Sequence, residues 1–213
     1  MHVAIIGTGY VGLTTGVCLA FVGHSVACLD SDLSKIEALR AGEVPIYEPN
    51  LAELLEEARP NLHFTSNYAE AIPGAEVVFI AVGTPPTPSG APNLEFLSQA
   101  ARCIGQHVHS DFTVVVNKST VPIGSGNWVG SLLREACEQR QQGTSAGFAV
   151  ASNPEFLREG SALHDSLYPD RIVIGADESR ALEVLYSLYR PILDQTFTAP
   201  TYLPRPESVS AIP

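Results

Sequence analysis

The sequence predicts an α/β protein of the doubly wound, Rossmann type, a mostly parallel sheet with helices on both faces. Three observations predict it. Short runs that are apolar along their whole length alternate with stretches of helical period. The first run feeds a glycine turn of the pattern G-x-G-x-x-G, Gly7 to Gly12, which opens a helix. Polar loops follow several of the later runs, where ligands bind in open α/β sheets.

Taken in order, strands are expected at Val3–Ile6, Val26–Leu29, Val77–Val82, Thr113–Val116 and Phe148–Ala151. A weaker strand at Leu62–Thr65 belongs towards one edge, and another is expected at Arg171–Gly175. Helical patterns lie at Val11–Phe21, Ser34–Ala41, Leu51–Ala58, Leu94–His107, Ser125–Gln139 and Ser179–Tyr189. Gln141–Gly147 reads as a flexible surface loop. From Ala199 the chain turns proline-rich, so residues 1–198 are expected as one dinucleotide-binding domain and 199–213 as a linker that has been cut.

Each glycine of the turn has its own reason. Gly7 allows the tight turn, Gly9 lets backbone approach a pyrophosphate, and Gly12 lets the helix pack closely on the strand. Tyr10 and Val11 then sit at the helix N-terminus, whose free N–H groups suit a phosphate. Asp30 ends the next apolar run, about twenty residues on, where a carboxylate meets both ribose hydroxyls and repels a 2′-phosphate. NAD is therefore expected over NADP. Asp32 reads as a helix N-terminal residue, and Lys35, in the first turn of that helix, is within reach of the cofactor.

Composition narrows the function classes. The chain has 213 residues, 45% hydrophobic and 16% charged, which supports a substantial core and argues against disorder. Its net charge is −11, and Lys35 and Lys118 are its two lysines, so no clustered positive surface for nucleic acid is expected. A strand follows Met1 directly, leaving no room for an export signal, and no apolar run reaches membrane-span length. Cys18, Cys28, Cys103 and Cys137 are spread without metal-ligand spacing and read as small apolar residues of a reducing, cytoplasmic compartment.

Three loops carry the remaining candidates. Thr84 lies in Gly83–Pro88 and Thr120 in Asn117–Pro122, where hydroxyls serve either as turn stabilisers or as donors to a cofactor or water. In Ser152–Ala162, Glu155 and Glu159 are four residues apart and would share a face if that segment were helical. A carboxylate there serves either as a general base beside an apolar cleft or as a complement to a helix dipole. Arg158 pairs either with a phosphate or with nothing, and His164 reads as structural.

Motifs along the chain resemble those of the UDP-glucose/GDP-mannose dehydrogenase family. They are GTGYVGL at Gly7–Leu13, the acid at Asp30, VPIYEPNLAELL at Val44–Leu55, AVGTPP at Ala81–Pro86, KSTVPIG at Lys118–Gly124, SNPEFLREGSA at Ser152–Ala162 and PDRIVIG at Pro169–Gly175. The resemblance covers nearly everything to about Tyr189. It implies NAD-dependent, four-electron oxidation of a nucleotide-sugar C6 alcohol to a carboxylate. In the family a cysteine traps the aldehyde stage, a second hydride leaves to give a thioester, and water hydrolyses it.

Carried over by motif, Gly7, Gly9, Tyr10, Val11, Gly12, Asp30, Lys35, Thr84, Thr120 and Glu159 contact NAD. Glu155 is the acid/base carboxylate and Thr120 helps hold the catalytic water. Glu155, Phe156, Leu157, Arg158 and Glu159 line the sugar-nucleotide cleft. The Ile46–Pro49 run looks more like the UDP-glucose branch than the GDP-mannose or UDP-N-acetylmannosamine branches. The family's central lysine and asparagine and its C-terminal cysteine segment have no counterpart in these residues. The expectation is an NAD-binding portion that does not turn over alone, cut before the central and UDP-binding domains, from a protein that forms a homodimer or higher oligomer at full length. A standalone nucleotide-binding module is the alternative from another class. Asn50, Ser89 and Asn93 depart from the family pattern.

Overall fold

A computed structural model describes residues 1–109, 112–122, 124–139 and 147–206. The elements run β1 (His2–Ile6), α1 (Tyr10–Phe21), β2 (Ser25–Leu29), α2 (Leu33–Ala41), α3 (Leu51–Ala58), β3 (Leu62–Thr65), α4 (Tyr68–Ala71) and β4 (Val77–Ile80). They continue with α5 (Glu95–His107), β5 (Thr113–Asn117), α6 (Ser125–Glu138), β6 (Phe148–Ser152), α7 (Ala162–Leu167), β7 (Gly175–Ala176) and α8 (Ser179–Leu193). One seven-stranded sheet has the order β3-β2-β1-β4-β5-β6-β7. Its first six strands pair in parallel, and β7 runs antiparallel to β6. The order reverses between β1 and β4, so the loop after β1 stands at the topological switch point.

Strand alternation divides the apolar runs between two cores. Ile5, Phe79 and Val116 face one side, with Leu13 and Val17 of α1 and Leu185 of α8. Ile6, Ile80 and Val115 face the other, with Leu97 and Ile104 of α5 and Leu133 of α6. Both faces are covered, which is why the strands carry no polar alternation. Asp32 caps α2 by accepting from Ser34 N at 3.0 Å and Lys35 N at 3.3 Å. Asn50 takes φ 63°, a left-handed conformation that asparagine tolerates better than most side chains.

Two expectations need correction, and one condition is not met. Arg171–Ile174 form no strand, and only Gly175–Ala176 pair with β6. Ile172 and Ile174 pack on the core, giving a period-two pattern, but Asn153 Nδ2 takes the Val173 carbonyl at 2.8 Å in place of a neighbouring strand. The segment holding Glu155 and Glu159 is not helical; helix begins only at Ala162. Pro154 and the Glu155 side chain, which accepts from Leu157 N at 2.6 Å, fix a turn there instead. Finally, α8 passes through Pro191 to Leu193, because a proline in the last turn forfeits one donor without stopping the helix.

The short helices α4 and α7 were not anticipated. The stretch expected as linker stays on the domain through residue 206. Leu203 is buried, Tyr168 Oη donates to its carbonyl at 3.1 Å, and Tyr202 Oη donates to Glu57 at 2.7 Å. The expected surface loop, apart from Gly147, and the last stretch from Glu207 lie outside the described residues. Among the described residues no helix is long and apolar enough to cross a membrane.

Candidate functional site

At the C-terminal edge of β1 the turn has the shape its glycines predict. Gly7 holds φ 98°, and a Cβ there would lie 2.7 Å from Ala81 O. A Cβ on Gly12 would lie 1.9 Å from Gly7 O, so the first turn of α1 packs directly on the loop. Gly9 is different, since a Cβ there would meet nothing within 4 Å. That free space lies in front of the helix end, where the first intrahelical bond, Leu13 N to Gly9 O, leaves the Tyr10, Val11 and Gly12 amides without intrahelical acceptors.

Asp30 closes the site from β2. Its Oδ2 accepts from Thr8 N and Thr8 Oγ1, both at 2.8 Å, and its Oδ1 accepts from Asp32 N at 3.0 Å. Lys35 Nζ stands 3.7 Å from Oδ2. Burial opposes the charged form, but hydrogen bonds from Asp32 and Thr8, with Lys35 beside them, outweigh it and hold the carboxyl below its ordinary value.

The loops after β4 and β5 meet beside this turn. Thr84 Oγ1 donates to the Thr120 carbonyl at 2.9 Å, and Ser119 Oγ donates to Val82 O at 2.7 Å. A cleft of about 830 Å³ opens beyond them, lined by Lys118, Thr120, Ser125, Pro154 and Glu155 among others. Glu155 and Thr120, the two expected catalytic residues, therefore face one space. Glu159 does not line that cleft, and its backbone neighbours approach Tyr10 instead.

Arg158 is not without a partner, although its side chain stays 74% exposed. It grips Asp165 with Nη2 at 2.6 Å from Oδ1 and Nε at 3.1 Å from Oδ2, and its own N–H reaches Oδ2 at 3.0 Å. Phe156 is exposed under the Arg171 guanidinium, 4.6 Å from its ring centre, and Leu157 is half-buried. His164 packs against Tyr168 with ring centres 5.1 Å apart, a structural role.

Sequence reasoning missed Lys118, Asn153, Tyr189 and Glu48 here. Lys118 is buried, and Nζ donates to Asn153 Oδ1 at 3.0 Å; Tyr189 Oη donates to the same oxygen at 2.6 Å. Burial brings the Lys118 ammonium down to about 8, with Glu155 pulling the other way. A lysine two places after the apolar run Val114–Val116 was the available signal. Glu48 is buried on partners more than a hundred residues away, which no local pattern announces. Cys18 and Cys28 are wholly buried and their thiols are pushed up to about 12, which leaves them inert.

The geometry fits a dinucleotide: an open space at Gly9 before free amides, flanked by an ionised carboxylate. Fold and turn together define a dinucleotide-binding domain of the Rossmann type. Comparison with known proteins carries this further. A family profile described as "UDP-glucose/GDP-mannose dehydrogenase family, NAD binding domain" matches residues 1–193. UDP-glucose 6-dehydrogenase TuaD of Bacillus subtilis is 43% identical over 212 residues, 99% of this chain and 44% of the relative. UDP-glucose 6-dehydrogenase of Rhizobium meliloti is 47% identical over 197 residues, 90% of this chain and 44% of the relative.

Among solved structures, a UDP-glucose dehydrogenase from Pyrobaculum islandicum superposes with TM-score 0.84 at 42% identity, covering 89% of this chain and 44% of that one. GDP-mannose dehydrogenase from Pseudomonas aeruginosa does so with TM-score 0.83 at 34% identity, with the same coverage. The chain belongs to the UDP-glucose/GDP-mannose dehydrogenase family and spans its NAD-binding domain, NAD being the cofactor. It spans under half the length of the curated relatives it matches.

Proposed function

We propose that this chain is the NAD-holding part of a UDP-glucose 6-dehydrogenase, which oxidises the C6 alcohol of UDP-glucose to the carboxylate of UDP-glucuronate. The observation that carries it is the juxtaposition at one sheet edge of the Asp30-flanked turn and the cleft shared by Glu155 and Thr120. Identity favours this branch over GDP-mannose oxidation, 42–47% against 34% among the relatives named above.

NAD supplies the hydride acceptor at each of two oxidation stages. The chain's residues do the rest of what falls to this domain. The α1 amides and Gly9 hold the pyrophosphate, and Asp30, with Lys35 beside it, holds the adenosine ribose. Thr84 and Thr120 fix the cofactor's reactive end, Thr84 bracing the Thr120 loop through its 2.9 Å hydrogen bond. Glu155 takes and returns protons at the sugar C6, where each stage releases one proton with the hydride. Thr120 orients the water that becomes the second carboxylate oxygen. Phe156 to Glu159 continue from Glu155 as the wall offered to the nucleotide sugar, with the Arg158 guanidinium paired to Asp165.

Cys18 and Cys28 are too deeply buried and too weakly acidic to trap an aldehyde, and Cys103 and Cys137 lie on α5 and α6, away from the cleft. The 213-residue chain is therefore expected to bind NAD without turnover; a nucleotide sugar, a second copy of the full-length protein and a cytoplasmic setting complete the reading. Calorimetric titration with NAD and NADP, followed by absorbance at the NADH band with UDP-glucose, tests it. Clear preference for NAD without NADH production supports it. Steady NADH production by this chain alone overturns the inactivity, and equal NADP affinity overturns the role of Asp30.

A further inference from the structure

Glu48 lies in the irregular stretch between α2 and α3, 6% exposed. Three neutral donors converge on it. Tyr10 Oη is 2.5 Å from Oε2, Gly160 N is 2.9 Å from the same oxygen, and Ala162 N is 2.8 Å from Oε1. Tyr10 Oη also stands 3.2 Å from the Arg158 carbonyl. Tyr10 belongs to the glycine turn, whereas Gly160 and Ala162 directly follow the segment that carries Glu155 and Glu159. Gly160, at φ 87°, bends the chain so that both amides reach one carboxylate.

A buried carboxylate is tolerated while its lone pairs are taken up, and a lost partner leaves it with the full desolvation cost. If the segment swung off the turn, Glu48 would lose two of its three donors together. The third donor is held in its protonated form, because burial and then the Glu48 carboxylate push the Tyr10 phenol above its ordinary value.

We infer that Glu48 is a positioning residue, a latch that couples occupancy of the glycine turn to the order of the segment carrying Glu155 and Glu159. The inference rests on the NAD reading above. Linkage makes the coupling reciprocal: the factor by which NAD steadies the segment is the factor by which the steadied segment tightens NAD.

Hydrogen exchange at the Gly160 and Ala162 amides of the 213-residue chain, with and without saturating NAD, tests it beside calorimetric NAD affinities. In the wild type, NAD slows both amides about tenfold. Glu48→Gln places an NH₂ where an amide proton must be accepted, so it abolishes the slowing and lowers NAD affinity by about the same tenfold. Tyr10→Phe keeps both amide bonds and shows a smaller loss in both readouts; it decides the matter alone if Glu48→Gln does not fold. A merely structural Glu48 would speed exchange equally with and without NAD. A wild type that binds NAD with no change at these amides overturns the latch, as does a folded variant that keeps both the slowing and the affinity. A wild type without NAD affinity fails the NAD reading itself, and the latch with it.

Discussion

Lys118 Nζ donates to Asn153 Oδ1 at 3.0 Å, tying the end of β5 to the residue two places ahead of Glu155. The bond carries a buried charge into the floor of the candidate cleft, and its cost has a pH signature. With the ammonium at about 8 in the fold against an ordinary 10.5, the unfolded chain binds more protons between those values. The Lys118 contribution to stability therefore rises with pH through that window, by up to about 3 kcal/mol. The buried Cys18 and Cys28 thiols contribute in the opposite sense above about 9, so the effect is read as the difference from a variant lacking the ammonium. Lys118→Met removes the rise and is at least as stable as wild type at pH 7, Tyr189 still serving Asn153. Urea unfolding of both proteins at pH 7, 9 and 10.5 measures the difference, and a flat difference contradicts the buried charge.

Gly9 and Gly12 separate binding from folding. Gly12→Ala drives a methyl into the Gly7 carbonyl, 1.9 Å away, and is expected to destabilise by about 3 kcal/mol or more. Gly9→Ala puts its methyl into open space, so the melting temperature stays within about 2 °C. NAD affinity nonetheless falls at least about tenfold, because that space is the proposed pyrophosphate site. Thermal melts beside calorimetry distinguish the two.

Asp30→Ala is expected to weaken NAD about tenfold to a hundredfold, the loss of charged hydrogen bonds to ribose, while NADP changes little. The NAD-to-NADP affinity ratio is the quantity to measure. An unchanged ratio removes Asp30 from the ribose.

In a full-length enzyme, Glu155→Gln is expected to lower kcat by about 10²–10⁴ with the NAD dissociation constant unchanged. Gln keeps an oxygen for the Leu157 amide that Glu155 now satisfies at 2.6 Å, so the loop keeps its turn. Single-turnover kinetics beside NAD titration read the two quantities apart.

Much of this architecture is written locally. β1, β2, β4, β5 and β6 are legible because buried parallel strands need apolar residues on both faces. The turn is legible because its glycines keep one short spacing, Gly7 for a positive φ and Gly12 for the close approach to Gly7 O. Asp30 and the Thr84 and Thr120 loops follow from where those strands end. Glu48 is invisible for the opposite reason, since its meaning lies with amides 112 and 114 residues on. Arg171–Ile174 show the reverse failure: the alternation is real, but the backbone partner that would make it a strand is replaced by the Asn153 side chain. Arg158 likewise reads as a free cation until Asp165, seven residues later, folds back onto it.

The hydrogen bonds that Asp30 accepts from Thr8 have a consequence for changing coenzyme. A neutral or basic residue at 30, the obvious route to accepting a 2′-phosphate, would also orphan the Thr8 amide and hydroxyl inside the turn. Coenzyme choice and the shape of the loop are thus one inheritance. A lineage or a designer wishing to alter the first must rebuild position 8 as well.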